Sequence, residues 1–375
     1  MSRRTYDVVI AGSGIVGAAC AYELSAARLS VAIVDEHGVG SGATNAGMGH
    51  LLVLDDSDAQ FALTRYSLEL WEPLFHQLPP ECEFWRCGTV WVAADEEELQ
   101  FAARRCEYYR QNGVSAELLS PAELSALEPN LRPGLAGGAL VPNDASLVPS
   151  MAARFLIKRA QENGTELIEG HRVIEVNDEG VRLSDGTRLL AHACVNATGT
   201  AAAALTPGLP IRSRKGHILV VKLPHHFARH QVVELGYLKS AHASEEADSV
   251  AFNVRQRKNG ELLIGSSRQY GAGNPAVEPG MLRRMLDRAV EFMPTLAAAP
   301  QVTSWTGFRA GTPDGLPLIG LVPESNHVYA ATGHEGLGAT TSIATARLLT
   351  DEILRRPTGI AAAAFSPARF ATKER

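Results

Sequence analysis

The sequence lacks a cysteine framework. Its 375 residues contain five cysteines, an odd number, which favours free thiols in a reducing compartment. Twelve histidines are scattered along the chain, and none combines with a cysteine at a spacing typical of a zinc site. The composition therefore excludes a small disulfide-stapled domain and predicts no metal site.

Long apolar runs and an excess of basic residues are also missing. No segment approaches the roughly 20 apolar residues that a membrane-spanning helix needs, since glycines interrupt the apolar run at 8–20. Tyr22 and Glu23 stand where a signal peptide would be cleaved, so that run does not predict a leader. The formal net charge of −6 gives no electrostatic reason to expect nucleic acid as a partner. We expect a cytoplasmic chain with no integral membrane segment.

What is present is an alternation of helical and β patterns. Residues 6–11, 15–27 and 31–34 are predicted as strand, helix and strand, and β-rich segments between 216 and 265 predict an antiparallel sheet. A strand near 327–331 and a helix at about 339–355 follow. The order predicts a mixed α/β fold of two domains, with the chain crossing between them more than once. Further helices are predicted from about 58 to near Pro73 and at 96–111, 122–127, 150–162 and 281–292, and a further strand at 84–93.

A GxGxxG motif, Gly12-Ser13-Gly14-Ile15-Val16-Gly17, follows the first strand and opens the first helix. Its glycines allow a tight turn, close approach of backbone to a pyrophosphate and packing of helix on strand. The positive end of the helix dipole attracts the phosphate charge. Asp35 closes the second strand, where its carboxylate can accept both ribose hydroxyls, with Glu36 as the neighbouring alternative. The pattern predicts a dinucleotide site and disfavours NADP, but it does not separate NAD from FAD.

A second loop of small residues comes directly after that strand. The segment Gly40-Ser41-Gly42-Ala43-Thr44-Asn45-Ala46-Gly47-Met48 lets backbone and hydroxyl groups approach a large flat cofactor. A flexible linker has the same composition, so the loop by itself leaves both interpretations open.

Motifs along nearly the whole chain resemble those of the glycine/sarcosine/D-amino-acid oxidase family of FAD enzymes. The three motifs nearest the C-terminus, which begin at Gly307, Thr312 and Ala331, make the resemblance specific, because an unrelated dinucleotide-binding enzyme has no reason to repeat them. In order, the motifs are the GxGxxG segment, Asp35, the loop from Ser41 to Met48, Asn196-Ala197-Thr198-Gly199, Gly307-Phe308-Arg309, Thr312-Pro313-Asp314-Gly315-Leu316-Pro317-Leu318-Ile319-Gly320 and Ala331-Thr332-Gly333-His334-Glu335-Gly336-Leu337-Gly338.

This resemblance implies a fold and a cofactor. The fold is a Rossmann-like FAD-binding domain, made of residues 1–56, 145–215 and 305–375, interleaved with an antiparallel-sheet substrate domain, made of residues 57–144 and 216–304. Some relatives attach the flavin to a cysteine in the C-terminal part of the chain, whereas the last cysteine here is Cys194. The FAD is therefore expected to be noncovalent.

Roles for individual residues follow from the same resemblance. Arg309 is expected to bind the substrate carboxylate, because a guanidinium fork offers two parallel hydrogen bonds. Tyr237 either donates to the same carboxylate or packs across strands, and Met48 and His50 are expected to line the pocket, with a structural role as the alternative for His50. Residues expected to bind FAD are Gly12, Gly14, Ile15, Val16, Gly17, Asp35, Glu36, Ser41, Gly42, Ala43, Thr44, Ala46, Gly47, Met48, Val173, Ala197, Thr198, Gly199, Gly307, Arg309, Gly333, His334, Glu335, Gly336, Leu337, Gly338 and Ala339.

The implied activity is oxidation of the C–N bond of a small amino acid by hydride transfer from the α-carbon to flavin N5. The N-terminus of the last helix would stabilise negative charge at flavin N1 and O2. Expected substrates are a D-amino acid, an N-substituted glycine or a D-hydroxyproline-like compound. The segments Met48-Gly49-His50 and His334-Glu335-Gly336-Leu337-Gly338 are similar to the D-hydroxyproline dehydrogenase branch. The alternatives are an FAD-dependent 2-hydroxy-acid dehydrogenase and an electron-relay subunit of a larger dehydrogenase. The motifs fix neither the electron acceptor, oxygen or another carrier, nor the oligomeric state.

Overall fold

The computed structural model describes residues 4–236 and 248–371, which build two large β-sheets with helices packed on them. The strands are β1 (Arg4–Ala11), β2 (Val31–Asp35), β3 (His50–Leu51), β4 (Thr89–Ala93), β5 (Glu117–Leu119), β6 (Gly137–Val141), β7 (Ala145–Ser146), β8 (Glu166–Glu169), β9 (Val173–Asn177), β10 (Gly180–Leu183), β11 (Arg188–Asn196), β12 (Arg212–Lys222), β13 (Gln231–Glu234), β14 (Ser249–Gln256), β15 (Glu261–Tyr270), β16 (Gln301–Gly311), β17 (Leu318–Leu321) and β18 (Val328–Thr332). The helices are α1 (Ile15–Ala26), α2 (Ala43–Ala46), α3 (Asp58–Phe75), α4 (Glu96–Gln111), α5 (Pro121–Leu127), α6 (Pro149–Glu162), α7 (Ala202–Leu205), α8 (Pro279–Phe292) and α9 (Gly338–Ile353).

The first sheet contains the βαβ start of the chain. Strands β18, β11, β1, β2 and β8 lie side by side and parallel, and β17 pairs antiparallel with β18 at one edge. Helices α1, α3, α6 and α9 cover one face, and the β9–β10 hairpin packs on the other. Because both faces are covered, residues 8–11 of β1 and 31–34 of β2 are continuous apolar runs rather than alternating ones.

The second sheet has the order β16-β12-β15-β14-β13-β4-β6-β5, antiparallel except for the β13–β4 pair. Helix α8 packs on one face through Met281, Met285, Ala289 and Phe292, which are buried and spaced as one helical stripe. The ring of Phe292 stacks on Phe252 of β14 with 4.7 Å between centroids. On the opposite face, α4 and the segment 52–54 pack against the end of the sheet formed by β13, β4 and β6. No helix in the described residues is long and apolar enough to cross a membrane.

Side-chain caps start three of the predicted helices, α3, α4 and α5. The Ser57 side chain accepts a hydrogen bond from the N–H of Gln60. The Gln60 side chain accepts from the N–H of Asp56 and not from that of Ser57, so only half of a capping box forms at α3. Ser120 and Glu123 form both halves of the box at α5. Pro73 lies in the last turn of α3, as predicted.

The mixed α/β fold class is confirmed, and the differences from the predicted elements have local causes. The strand predicted at 84–93 begins only at Thr89, because Gly88 turns the backbone with φ +70° and Trp85 makes only an isolated bridge to Ser146. Strand β6 was missed, since Gly137 and Gly138 weaken its β pattern. Strands β12 and β16 pair in one sheet although each runs across a predicted domain boundary, at 215/216 and at 304/305. The division into domains stays a prediction.

We predict that Leu63→Ala lowers the free energy of unfolding by about 2–5 kcal/mol, because truncating a fully buried leucine leaves a cavity. Leu118→Ala is the matched control, since Leu118 is 43% exposed and its truncation costs about 0.5 kcal/mol or less. Urea unfolding with FAD in excess measures both values. Equal losses in the two variants would contradict the packing of α3 described above.

Candidate active site

A cavity of about 1120 Å³ is lined by residues of both sheets. Its lining includes the turn after β1, the loop after β2, the end of β11, the middle of β16 and the loop before α9. A typical small-molecule site has roughly 300–1,000 Å³, so this cavity has room for a large cofactor together with a small substrate.

The turn after β1 brings three pieces of backbone into contact. Gly12 has φ +98°, and a Cβ there would lie 2.7 Å from the carbonyl oxygen of Ala197 at the end of β11. A Cβ on Gly17 would lie 1.9 Å from the Gly12 carbonyl oxygen, so α1 packs directly on the turn. The N–H of Ile15, the first residue of α1, donates to Thr44 Oγ1 at 3.0 Å. The positive end of this helix is therefore part of the cavity wall.

The carboxylate of Asp35 ties that turn to the loop after β2. One oxygen accepts from the N–H of Ser13 at 2.7 Å, and the other accepts from the N–H groups of His37 and Gly38 at 2.9 and 3.1 Å. Both Asp35 and Glu36 line the cavity. A carboxylate has about four acceptor positions, so these bonds leave capacity for a ribose hydroxyl. The predicted ribose contact stays a prediction.

The small-residue loop 41–48 is anchored to the other sheet, which decides between the two interpretations of its composition. Trp305 of β16 donates from Nε1 to the Ala46 carbonyl at 3.2 Å. Arg255 of β14, a buried residue, donates to the Met48 carbonyl, and a Cβ on Gly265 of β15 would lie 2.6 Å from the Met48 sulfur. The loop is a fixed wall of the cavity rather than a flexible linker.

Arg309 of β16 lies in the cavity wall, and its expected contact with a substrate carboxylate stays a prediction. Its side chain extends over Gly216 of the neighbouring strand β12, where a Cβ would come within 2.5–2.7 Å of the guanidinium. Nη1 donates to the Ser267 carbonyl at 2.9 Å, which fixes the direction of the guanidinium plane. A glycine at 216 is therefore required for this position of the arginine.

Two further arginines surround Glu335 beside it. Arg214, directly opposite Arg309 in the sheet, places Nη1 2.6 Å from Glu335 Oε2. Arg268 Nε lies 3.8 Å from the other Glu335 oxygen, and the ring of Tyr270 lies 4.9 Å from the Arg214 guanidinium carbon. Among the described residues, three guanidinium groups and one carboxylate lie together in this part of the cavity, an arrangement that favours an anionic ligand.

Burial strongly lowers the pKa of two of the five histidines that line the cavity, His50 and His334. It lowers the pKa of His334 to about 3, and burial followed by the charge of Arg255 lowers the pKa of His50 to about 3. His334 Nε2 lies 2.9 Å from Thr345 Oγ1, whereas buried His50 Nε2 has no hydrogen-bond partner in the described residues. Both imidazoles are neutral at physiological pH, and so low a pKa makes His50 a poor proton acceptor.

The structure brings most predicted site residues together. Gly17 lies outside the cavity lining and acts by packing, while Tyr237 falls outside the described residues. Arg255 also lies outside the lining. Sequence reasoning missed several lining residues because only strand register places them, and register is not visible in one sequence. They include Trp91, Arg214, Asn253, Arg268 and Tyr270.

The sequence matches a known protein family over most of its length. Residues 7–352 match the model of the DAO family, described as FAD dependent oxidoreductase. The chain belongs to the DAO family. The family and the FAD cofactor predicted from the motifs are thereby confirmed.

Relatives within the DAO family align over almost the whole chain. A glycine oxidase of Geobacillus kaustophilus is 29% identical, over 98% of both chains, and a hydrogen cyanide synthase subunit of Pseudomonas aeruginosa is 28% identical, over 98% of this chain and 97% of the relative. The crystal structure of glycine oxidase from Geobacillus kaustophilus superposes with a TM-score of 0.87 at 28% identity, covering 98% and 99% of the two chains. L-proline dehydrogenase from P. horikoshii has a TM-score of 0.89 at 22% identity, over 98% of both chains, which shows a shared fold.

The residues of the cavity fit FAD. A helix N-terminus meets a turn that admits no Cβ, as a pyrophosphate site requires, and the cavity continues from there to Arg309. All five cysteines are buried and none is among the lining residues, in agreement with a noncovalent cofactor.

We predict that Gly17→Ala abolishes or strongly reduces FAD retention, because the added methyl would displace α1 from the turn at Gly12. Gly280→Ala is the matched control, since a Cβ there meets no atom within 4 Å. The ratio of flavin to protein absorbance after gel filtration measures retention. Full flavin content in Gly17→Ala would contradict the proposed packing.

We predict that His334 makes stability fall as the pH falls. The pKa is about 3 in the folded chain and 6.5 ordinarily, so the unfolded chain binds a proton that the folded chain rejects between these values. The free energy of unfolding is therefore about 2 kcal/mol lower at pH 5 than at pH 8. Urea unfolding of the FAD-loaded protein at both pH values should show a smaller loss for His334→Gln than for wild type, with His76→Gln at an exposed position as the control. Identical pH dependence in His334→Gln and wild type would refute the assignment.

Proposed function

We propose that this FAD-dependent oxidoreductase oxidises the C–N bond of a small amino acid, with a D-amino acid, an N-substituted glycine or a cyclic secondary amino acid as the substrate class. The observation that carries the proposal is the position of Arg309 in the same cavity as the FAD-binding turn and loops. The names of the relatives support it, since glycine oxidase and L-proline dehydrogenase both act on small amino acids.

The substrate carboxylate is the group that Arg309 fits. Its guanidinium is held over Gly216 and bonded to the Ser267 carbonyl, so it is oriented before substrate arrives. Charge-assisted hydrogen bonds from a fixed guanidinium bind a planar carboxylate with a defined direction. A preorganised contact of this kind sets the orientation of the rest of a small substrate.

The charge around Arg309 also bears on the substrate nitrogen. FAD, when bound, supplies the acceptor for the hydride that leaves the substrate α-carbon. Among the described residues, two guanidinium groups, those of Arg214 and Arg268, share the single carboxylate of Glu335, and this arrangement favours the neutral, oxidisable amine over an ammonium group nearby. No general base is then needed, which agrees with the low pKa of His50. The α-imino product would hydrolyse to a 2-oxo acid and an amine, or stay cyclic.

The buried, unpaired state of all five cysteines supports the cytoplasmic location predicted from the sequence. The proposed electron acceptor is oxygen or another carrier. Measuring the rate at which the reduced flavin is reoxidised with and without oxygen distinguishes the two.

Anaerobic mixing of the FAD-loaded protein with a panel of amino acids tests the function. The panel contains glycine, N-methylglycine, both enantiomers of alanine and proline, and the hydroxyproline isomers, with lactate enantiomers as the 2-hydroxy-acid arm. Bleaching of the oxidised flavin band by an amino acid, with formation of a 2-oxo acid or a cyclic imine, is the expected result. Bleaching by lactate alone would overturn the proposal in favour of a 2-hydroxy-acid dehydrogenase.

We predict that Arg309→Lys lowers kcat/KM for the reducing amino acid by about 100-fold, because an ammonium group cannot reproduce two parallel hydrogen bonds. The flavin content of each variant is measured alongside, and kcat/KM is expressed per bound FAD, so that loss of cofactor is separated from loss of carboxylate binding. Arg283→Lys, at an exposed position outside the cavity, is the matched control and should keep the wild-type value. A kcat/KM within threefold of wild type in Arg309→Lys would contradict carboxylate binding by Arg309.

A further inference from the structure

The pairing of strands β12 and β15 is interrupted in the wall of the cavity. The two strands pair regularly up to Lys215 and again from Leu219. Between these points, residues 216–218 of β12 lie opposite residues 265–268 of β15, so β15 has one residue more. An extra residue of this kind is a β-bulge, which bends the strand and disrupts the regular hydrogen bonds locally.

Arg309 is oriented by both strands within this bulge. Its guanidinium lies over Gly216 of β12, and its Nη1 donates to the carbonyl of Ser267 of β15 at 2.9 Å. A shift of one strand relative to the other would move one of these supports and not the other. The direction of the guanidinium therefore depends on what holds β12 to β15 where their regular pairing is interrupted.

His217 and Ser267 hold the two strands together at this point. The hydroxyl oxygen of Ser267 accepts from the backbone N–H of His217 at 2.9 Å and lies 3.0 Å from Nδ1 of the same residue. His217 is 0% exposed and Ser267 is 1% exposed, so water does not compete freely for these bonds. The pair joins the residue that follows Gly216 to the residue whose carbonyl accepts from Arg309.

The imidazole of His217 donates to Ser267 because its other nitrogen is an acceptor. The backbone N–H of Glu278, which can only donate, points at Nε2 with 3.2 Å between the nitrogens. Burial, followed by the charge of Lys215, lowers the pKa of His217, so the ring is neutral at physiological pH and carries one proton. That proton is therefore on Nδ1, and the Ser267 hydroxyl oxygen accepts it as a second hydrogen bond.

Glu278 fixes the far side of the imidazole. Its carboxylate accepts from Lys215 Nζ at 2.8 Å through one oxygen and from Gln269 Nε2 at 2.9 Å through the other. Lys215 and Gln269 are paired across β12 and β15 directly before the bulge. The residue that bonds Nε2 of His217 thus also holds the two strands together where the bulge begins.

We propose that His217 and Ser267 are positioning residues for Arg309, which keep Gly216 and the Ser267 carbonyl in the alignment that presents the guanidinium to a substrate carboxylate. The inference rests on the proposed function and adds to it two residues that act through Arg309. A bidentate contact with a carboxylate needs one direction of the guanidinium plane. Loss of the His217–Ser267 bonds should therefore weaken recognition of the carboxylate specifically.

An amino acid that reduces the flavin and its primary amide form the test pair for the FAD-loaded protein. The amide keeps the amine and the side chain but lacks the carboxylate, and anaerobic flavin reduction followed over hours also records a slow substrate. We expect Ser267→Ala to lower the ratio of kcat/KM for the acid to kcat/KM for the amide by at least about tenfold. A general loss of folding or of flavin would lower both values together and leave the ratio unchanged.

Two histidine variants assign the effect to the bond with Ser267. Both His217→Asn and His217→Leu remove the ring acceptor for Glu278, but the asparagine amide nitrogen stands as many bonds from Cα as Nδ1 and keeps the donor. We expect His217→Leu to lower the ratio as Ser267→Ala does, and His217→Asn to stay within about threefold of wild type. Ser67→Ala is the matched control, because its buried hydroxyl also accepts a backbone N–H, that of Ala344 at 3.1 Å, and lies outside the cavity lining. Flavin content and melting temperature are measured for each variant.

The outcomes separate this inference from the function on which it rests. A wild-type ratio in both Ser267→Ala and His217→Leu, or equal losses in His217→Asn and His217→Leu, would overturn the positioning role alone, provided that Arg309→Lys lowers the ratio. If Arg309→Lys also keeps the wild-type ratio, or if no amino acid reduces the flavin, the proposed function fails first and the positioning role falls with it.

Discussion

The cavity depends on backbone packed directly against backbone at the turn after β1. Gly12 touches the end of β11, and α1 at Gly17 touches Gly12, so the first helix, the first strand and a strand almost 200 residues later meet with no side chain between them. A single methyl group at Gly17 would separate them. The direction of α1, and hence of the positive helix end in the cavity wall, follows from this contact.

The second wall comes from the other sheet and is joined to the first by individual side chains. Trp305 and Arg255 bond the carbonyls of Ala46 and Met48, and the N–H of Glu335 donates to the carbonyl of Ala310 at 2.9 Å. Strands β12 and β16 then place Arg214 and Arg309 opposite each other. The two walls of the cavity are thus one continuous structure, in which Arg309 lies in the same cavity as the residues that fit FAD.

The sequence predicted the elements with strong local signals and the residues within family motifs. Helical spacing marked α3 and glycines marked the turn at Gly12. The resemblance to the family singled out Arg309, which lies in the cavity wall. Contacts between residues that are distant in the sequence and are brought together by strand pairing could not be predicted. Arg214 meets Glu335, 121 residues away, only because β12 and β16 pair in a particular register, and nothing in either segment alone encodes that register.

The walls of the cavity are supplied by segments from Gly12 to Ala339, so the order of synthesis decides when the cavity can form. A ribosome must have passed residue 339 before the last wall exists, so the nascent chain cannot retain FAD during most of its translation. Loading is a late event, and by mass action it then stabilises early and late segments together. In a riboflavin-starved cell the finished polypeptide would lack that reinforcement and would be the form most exposed to proteases.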